Sequence, residues 1–98
     1  MVVGIVRAEL HVPMAASLKD ERTAVKGLKE QLRAHFNVSV AELDVNDTWQ
    51  RATVGVAAVG DDEHDVAGRL KQVEDWIRRN HLVAVVRLEQ EWCDVWDA

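Results

Sequence analysis

Residues 2–12 alternate along the chain. Gly4, Val6, Ala8, Leu10 and Val12 fall on one face of an extended segment, and Val3, Ile5, Arg7, Glu9 and His11 on the other. A period of two with one apolar face predicts a strand whose first face enters a core. Pro13, the only proline, ends it. The period then lengthens. Leu18, Val25, Leu28, Leu32 and Phe36 recur at helical spacing, sharing an arc of about 80° at ~100° per residue. Ser17 reads as the N-cap, with Asp20 three places on as a capping-box variant. Gly27 falls opposite the arc, on the solvent side. Residues 37–45 and 48–59 predict the second and third strands, joined by the turn formers Asp44-Val45-Asn46-Asp47. Gly60-Asp61-Asp62 breaks the pattern, and Asp61 or Asp62 caps a second helix. Its stripe is Val66, Leu70, Val73 and Ile77, with Arg78, Arg79 and His81 at the end where positive charge suits the helix dipole and Asn80 as C-cap. Residues 82–92 alternate again: Leu82, Ala84, Val86 and Leu88 on one face, Val83, Val85, Arg87 and Glu89 on the other. Residues 93–98 read as a short acidic tail containing Trp96.

The order strand, helix, strand, strand, helix, strand predicts one α+β domain over residues 1–98, a ferredoxin-like βαββαβ sandwich. Its four-stranded antiparallel sheet has the first and third strands in the centre and both helices on one face. The other face is then uncovered. Val3, Ile5, Thr53, Ala57, Val83 and Val85 are its expected apolar patch, larger than a monomer usually leaves in water, and the expectation is a homodimer through it.

Composition places this pattern among folded soluble proteins, since 48% of the 98 residues are hydrophobic and 30% charged. A net charge of −5 argues against a surface that grips nucleic acid all over, but leaves room for a local basic patch. Cys93 is the only cysteine and cannot form an intramolecular disulfide, which fits a reducing cytoplasm. MVVGIVRAEL meets Arg7 and Glu9 too early for a signal peptide, and no apolar run approaches the ~20 residues that span a bilayer.

Two groups carry candidate chemistry. Lys19, Arg22, Lys26, Lys29 and Arg33 follow at spacings of 3, 4, 3 and 4 on the first helix, so they line one stripe beside the apolar arc with no acid inside it. Such segregation suits a linear anion contact, an RNA backbone or an acidic partner; the plainer reading is a solvated helix face. Asp47, Trp49, Gln50 and Arg51 stand at the mouth of the third strand. An indole to stack and a carboxylate–guanidinium pair to orient it would make a recognition corner; the plainer reading is a hairpin closure, with Trp49 capping the core edge.

Other chemistries find little support. Ferredoxin-like sheets bind RNA by stacking bases on strand aromatics, and neither VVGIVRAEL nor ATVGVAAV has one. His11, His35, His64 and His81 lie in four different elements without metal-ligand spacing. Phosphate-loop, nucleophile-elbow and zinc-protease motifs are absent. Neither a metal nor a cofactor is expected, and no catalytic residue is assigned. An enzymatic reading would use a carboxylate pair, Glu42 and Asp47, near Arg51, but nothing in the sequence brings the two acids together.

PMAASLKDER followed by HFNVSVAELDVNDTWQRATVGVAAV resembles the YlxP-like family of small bacterial proteins, a domain of unknown function. The specific parts are Ser17-Leu18-Lys19, Phe36-Asn37-Val38-Ser39-Val40-Ala41-Glu42 and Trp49-Gln50-Arg51-Ala52. Glu21 stands where the family pattern usually has a second lysine. The resemblance implies a ferredoxin-like fold, a cytoplasmic location and no established catalytic residues. Family genes often neighbour those of translation initiation factor 2 and ribosome-binding factor A, which implies a part in translation or ribosome maturation. The expected function is thus a non-enzymatic, RNA- or ribosome-associated accessory factor with an RNA or ribosomal-protein partner. The alternative is a protein–protein adaptor acting through the open sheet face or the C-terminal tail.

Overall fold

The computed structural model describes residues 1–13, 15–43 and 50–96. Six elements follow in order: β1 (Val2–His11), α1 (Leu18–His35), β2 (Ser39–Leu43), β3 (Arg51–Gly60), α2 (Glu63–Arg79) and β4 (Ala84–Asp94). All strand pairs are antiparallel, in the order β2-β3-β1-β4, so β1 and β3 are central. This is the ferredoxin-like α+β sandwich that the patterning predicts.

The strand and helix periods meet in one core. Val6, Ala8 and Leu10 of β1 stand opposite Val56, Val54 and Ala52 of β3. They are buried with Val25, Leu28 and Leu32 of α1 and with Val66, Leu70, Val73 and Ile77 of α2. Burying one such aliphatic side chain is worth roughly 1.5–3 kcal/mol, so these two stripes hold the helices on the sheet. Leu18, the first position of the expected α1 arc, lies in the opening turn beyond the core and is exposed.

The caps are local and legible. The Ser17 hydroxyl accepts the Asp20 N–H at 3.2 Å, and the Asp20 carboxylate accepts from Ala16 N–H at 3.1 Å, a reciprocal cap displaced by one residue from the usual box. Asp62, rather than Asp61, caps α2 by accepting the Asp65 N–H at 2.8 Å. Asn80 is its C-cap.

Strand limits differ from expectation. β2 is only Ser39–Leu43, and the expected turn Asp44–Asp47 lies outside the described residues. β4 starts at Ala84 and runs through Cys93 to Asp94, so the expected tail begins two residues later. Val95 N–H then donates to the Met1 carbonyl at 2.9 Å, extending the pairing with the start of the chain.

β4 also carries a correction. Its register against β1 runs Trp92 opposite Gly4, Leu88 opposite Ala8 and Arg87 opposite Glu9, then jumps to Val85 opposite Leu10. Val86 is an extra residue, a β-bulge, and the alternation of faces flips there. Val83 is buried and Val85 packs against the core, both on the helix-covered face, not on the open face where strict alternation places them. Leu82, Ala84 and Val86, expected inward, are exposed. Beyond the bulge, Leu88, Gln90 and Trp92 take the helix side, with Arg87, Glu89 and Glu91 on the open side.

Candidate functional site

The basic stripe of α1 lies alongside edge strand β2, and packing divides it. Arg22 and Lys26 project into solvent. Lys29, with its side chain 23% exposed, reaches the Glu42 carboxylate at 3.8 Å. Arg33 donates to the Val40 carbonyl at 2.8 Å. These contacts hold the two cations over β2. Together Arg22, Lys26, Lys29, Glu30, Arg33 and Glu42 line a hollow of about 340 Å³. The stripe is therefore less purely basic than the helix alone suggests, because Glu42 enters it from the neighbouring strand. Lys19 stands apart, against a separate apolar hollow of about 280 Å³ with Val12, Ala15 and Leu82.

Half of the candidate corner, Asp47 and Trp49, lies outside the described residues; so does the Asp47 partner in the Glu42–Asp47 carboxylate pair. Gln50 is built into the fold. It has a left-handed backbone, φ 65°, and three hydrogen bonds hold it. Its N–H donates to the Glu21 carboxylate at 3.0 Å, its side-chain amide to the Ala15 carbonyl at 2.9 Å, and its carbonyl accepts from Val12 N–H at 2.9 Å. A residue type that seldom adopts positive φ is thus fixed by the β1–α1 connection on one side and α1 on the other. Arg51 opens β3 opposite His11 and is exposed.

On the open sheet face, the apolar corner shrinks once Val83 and Val85 leave it. Val3, Ile5, Ala57 and Val59 remain, with Ile5 and Val59 the most exposed. Thr53 also points to this face but is only 2% exposed, and its hydroxyl has no hydrogen-bond partner among the described residues. Towards β2 the face continues through Gly55, Ala41 and Leu43, and only towards β4 is it charged. The Arg7 guanidinium donates to Glu89 through Nε at 3.2 Å and through Nη2, and Arg87 reaches the other Glu89 oxygen at 3.3 Å. The hydrogen bonds from Arg7 hold the Glu89 carboxyl below the usual carboxylate range, against partial desolvation, while the same contact raises the Arg7 guanidinium. Glu89 and Arg7 also wall a hollow of about 230 Å³ over Gly55. Among the described residues no cluster of three or more potential metal ligands occurs, and no helix is long and apolar enough to cross a membrane.

Comparison with known proteins gives the lineage. A family described as a protein of unknown function, DUF503, matches residues 3–90. The chain belongs to the DUF503 family. It is 33% identical over 72 residues to the uncharacterized protein YlxP of Bacillus subtilis (strain 168), covering 74% of this chain and 78% of that protein. Two solved structures are alike in fold alone. The structural-genomics protein YJCS has a TM-score of 0.58 at 12% identity, covering 91% of this chain and 96% of its own. The de novo designed protein Foldit4 has a TM-score of 0.53 at 16% identity, covering 95% and 96%.

Sequence reasoning missed the contacts that three residues make in this DUF503 chain. Glu21 looks like one more charge on α1, yet it anchors Gln50. Glu42, singled out as half of an acid–base pair with Asp47, faces Lys29 instead. Arg69, with its side chain 18% exposed, donates to the carbonyls of Asn37 and Val59 at 3.1 Å and pairs with Asp65 at 3.2 Å, tying α2 to the entry of β2 and the end of β3. Only Arg69 left a sequence signal, the i, i+4 spacing from Asp65.

Proposed function

We propose that this protein is a non-enzymatic accessory factor of the cytoplasm that contacts an RNA backbone, in the setting of translation or ribosome maturation. The observation that carries the reading is the α1 cation row, Arg22, Lys26, Lys29 and Arg33, in a chain whose net charge is −5. The row is about 16 Å long at 1.5 Å per residue. Two of its members are already held over β2, so less side-chain entropy is lost when they meet phosphates. The setting rests on what the family resemblance implies for gene neighbourhood.

The test is binding of a fluorescein-labelled, mixed-sequence single-stranded RNA, and of ribosomal particles, followed against salt. Affinity is expected to fall linearly in log–log form, by a slope of about 0.7 per phosphate neutralised on a single strand. Arg22→Glu with Lys26→Glu, which disturbs no contact inside the fold, should weaken binding and lower that slope. Glu42→Gln should strengthen binding by up to about fivefold, since an exposed pair holds about 0.2–1 kcal/mol. Salt-independent binding, or equal binding by the reversed variant, overturns the reading. Ribonuclease-resistant attachment to particles that survives charge reversal favours the adaptor reading instead.

A further inference from the structure

We infer that a second copy of this chain joins at the outer edge of β4, in antiparallel register about Leu88, so that two four-stranded sheets become one of eight. The two edges of the sheet differ. β2 is five residues long, and α1 guards it through Arg33 on the Val40 carbonyl. β4 is eleven residues long, and among the described residues no backbone group pairs with its outer edge. An unguarded strand of this length is a template for another strand. Exposed apolar bulk collects along it: Leu82 just before the strand, Val86 at the bulge, Trp92 within it and Trp96 just after.

The charges choose the copy and the register. Arg87 and Glu89 flank Leu88 and lie on the same sheet face, since their β1 partners are Glu9 and Arg7. A twofold axis at Leu88 sets Arg87 opposite Glu89 of the copy, and Glu89 opposite its Arg87. Opposite charges directly across an antiparallel pair are favourable, and like charges are not. Edge charges and a bulge ordinarily discourage pairing; in this arrangement they discourage every register except the one that matches them. Counting Val86 and Arg87 as one position, as β1 does, brings Val83 opposite Trp92 of the copy, both on the helix side. The interface is isologous, as a closed dimer requires, and it leaves the Ile5–Val59 corner and the α1 cations free.

Sedimentation velocity reads the prediction. Wild-type protein at tens of micromolar should sediment as a dimer, and Arg87→Glu and Glu89→Arg should each sediment as monomers with unchanged far-UV circular dichroism. Mixing the two variants should restore a one-to-one dimer. The first variant carries acids at both facing positions and the second carries bases at both, so opposite charges meet again only across the mixed pair. Ile5→Lys on the open face should remain dimeric. A monomeric wild type, failure of the mixture to associate, or loss of the dimer in Ile5→Lys each overturns the edge-on arrangement.

Discussion

The Gln50 N–H donates to the Glu21 carboxylate at 3.0 Å across 29 residues of sequence, and that bond helps hold Gln50 in a left-handed backbone. Left-handed geometry costs roughly 1–2 kcal/mol for a residue with a Cβ, so the tethers from Glu21, Ala15 and Val12 act against a standing strain. Glu21→Ala removes the acceptor of a part-buried N–H and should destabilise the protein by about 1–3 kcal/mol in urea unfolding. Gln50→Gly relieves the backbone while losing the bond to Ala15, so its change should be under about 1 kcal/mol. A larger loss for glycine than for Glu21→Ala would show that the side-chain amide is the main tether.

Glycines in different settings should respond in opposite directions. A Cβ on Gly4 would lie 2.6 Å from Leu70 Cδ1 and 3.0 Å from both Trp92 Cζ3 and Val66 Cγ1. Gly4→Ala should therefore cost about 1–3 kcal/mol by overpacking α2 against β1. A Cβ on Gly27 meets nothing within 4 Å, so Gly27→Ala should stabilise α1 by about 0.5–1 kcal/mol. Thermal unfolding of the two variants gives both signs.

Thr53 is buried with its hydroxyl unpartnered among the described residues. Thr53→Val keeps the branched shape and removes the desolvated polar group. The expected change is a gain of about 1 kcal/mol. A loss of stability would mean that the hydroxyl has a partner after all.

Stability against pH should carry the mark of Glu89. Its carboxyl is lowered in the folded protein, first by the hydrogen bonds from Arg7. The unfolded state therefore binds this proton more readily, and the contribution is present above the unfolded value of about 4.3. It is lost as pH falls through the folded value. Glu89→Gln should flatten the acid limb of a urea-midpoint profile below pH ~5 and leave the neutral-to-alkaline limb unchanged in shape. The raised Arg7 guanidinium stays protonated throughout and adds no slope.

The elements and their order were legible because each rests on short-range pattern. The period of two in β1, the Val66–Ile77 stripe, and the caps Ser17 and Asp62 depend on residues within a turn or two of each other. The candidate site was legible only in part. The spacing of Lys19, Arg22, Lys26, Lys29 and Arg33 places them on one side of α1, but nothing local indicates that Glu42 will stand beside Lys29 or that Arg33 will be spent on Val40. Gln50 reads as one member of a recognition corner at the mouth of the third strand until the β1–α1 connection closes around it.

Periodicity by itself thus determined six elements, one shared core and a sheet with one face left open. Tertiary structure alone decided which side β4 presents. One unpaired residue, Val86, reverses the alternation and sends Val83 and Val85 to the helices. A bulge is defined by the strand across from it, so a single chain segment read by itself carries no sign of it. The same limit holds for Glu21 on Gln50 and Glu42 on Lys29: side chains far apart in sequence meet only after the sheet has set its register.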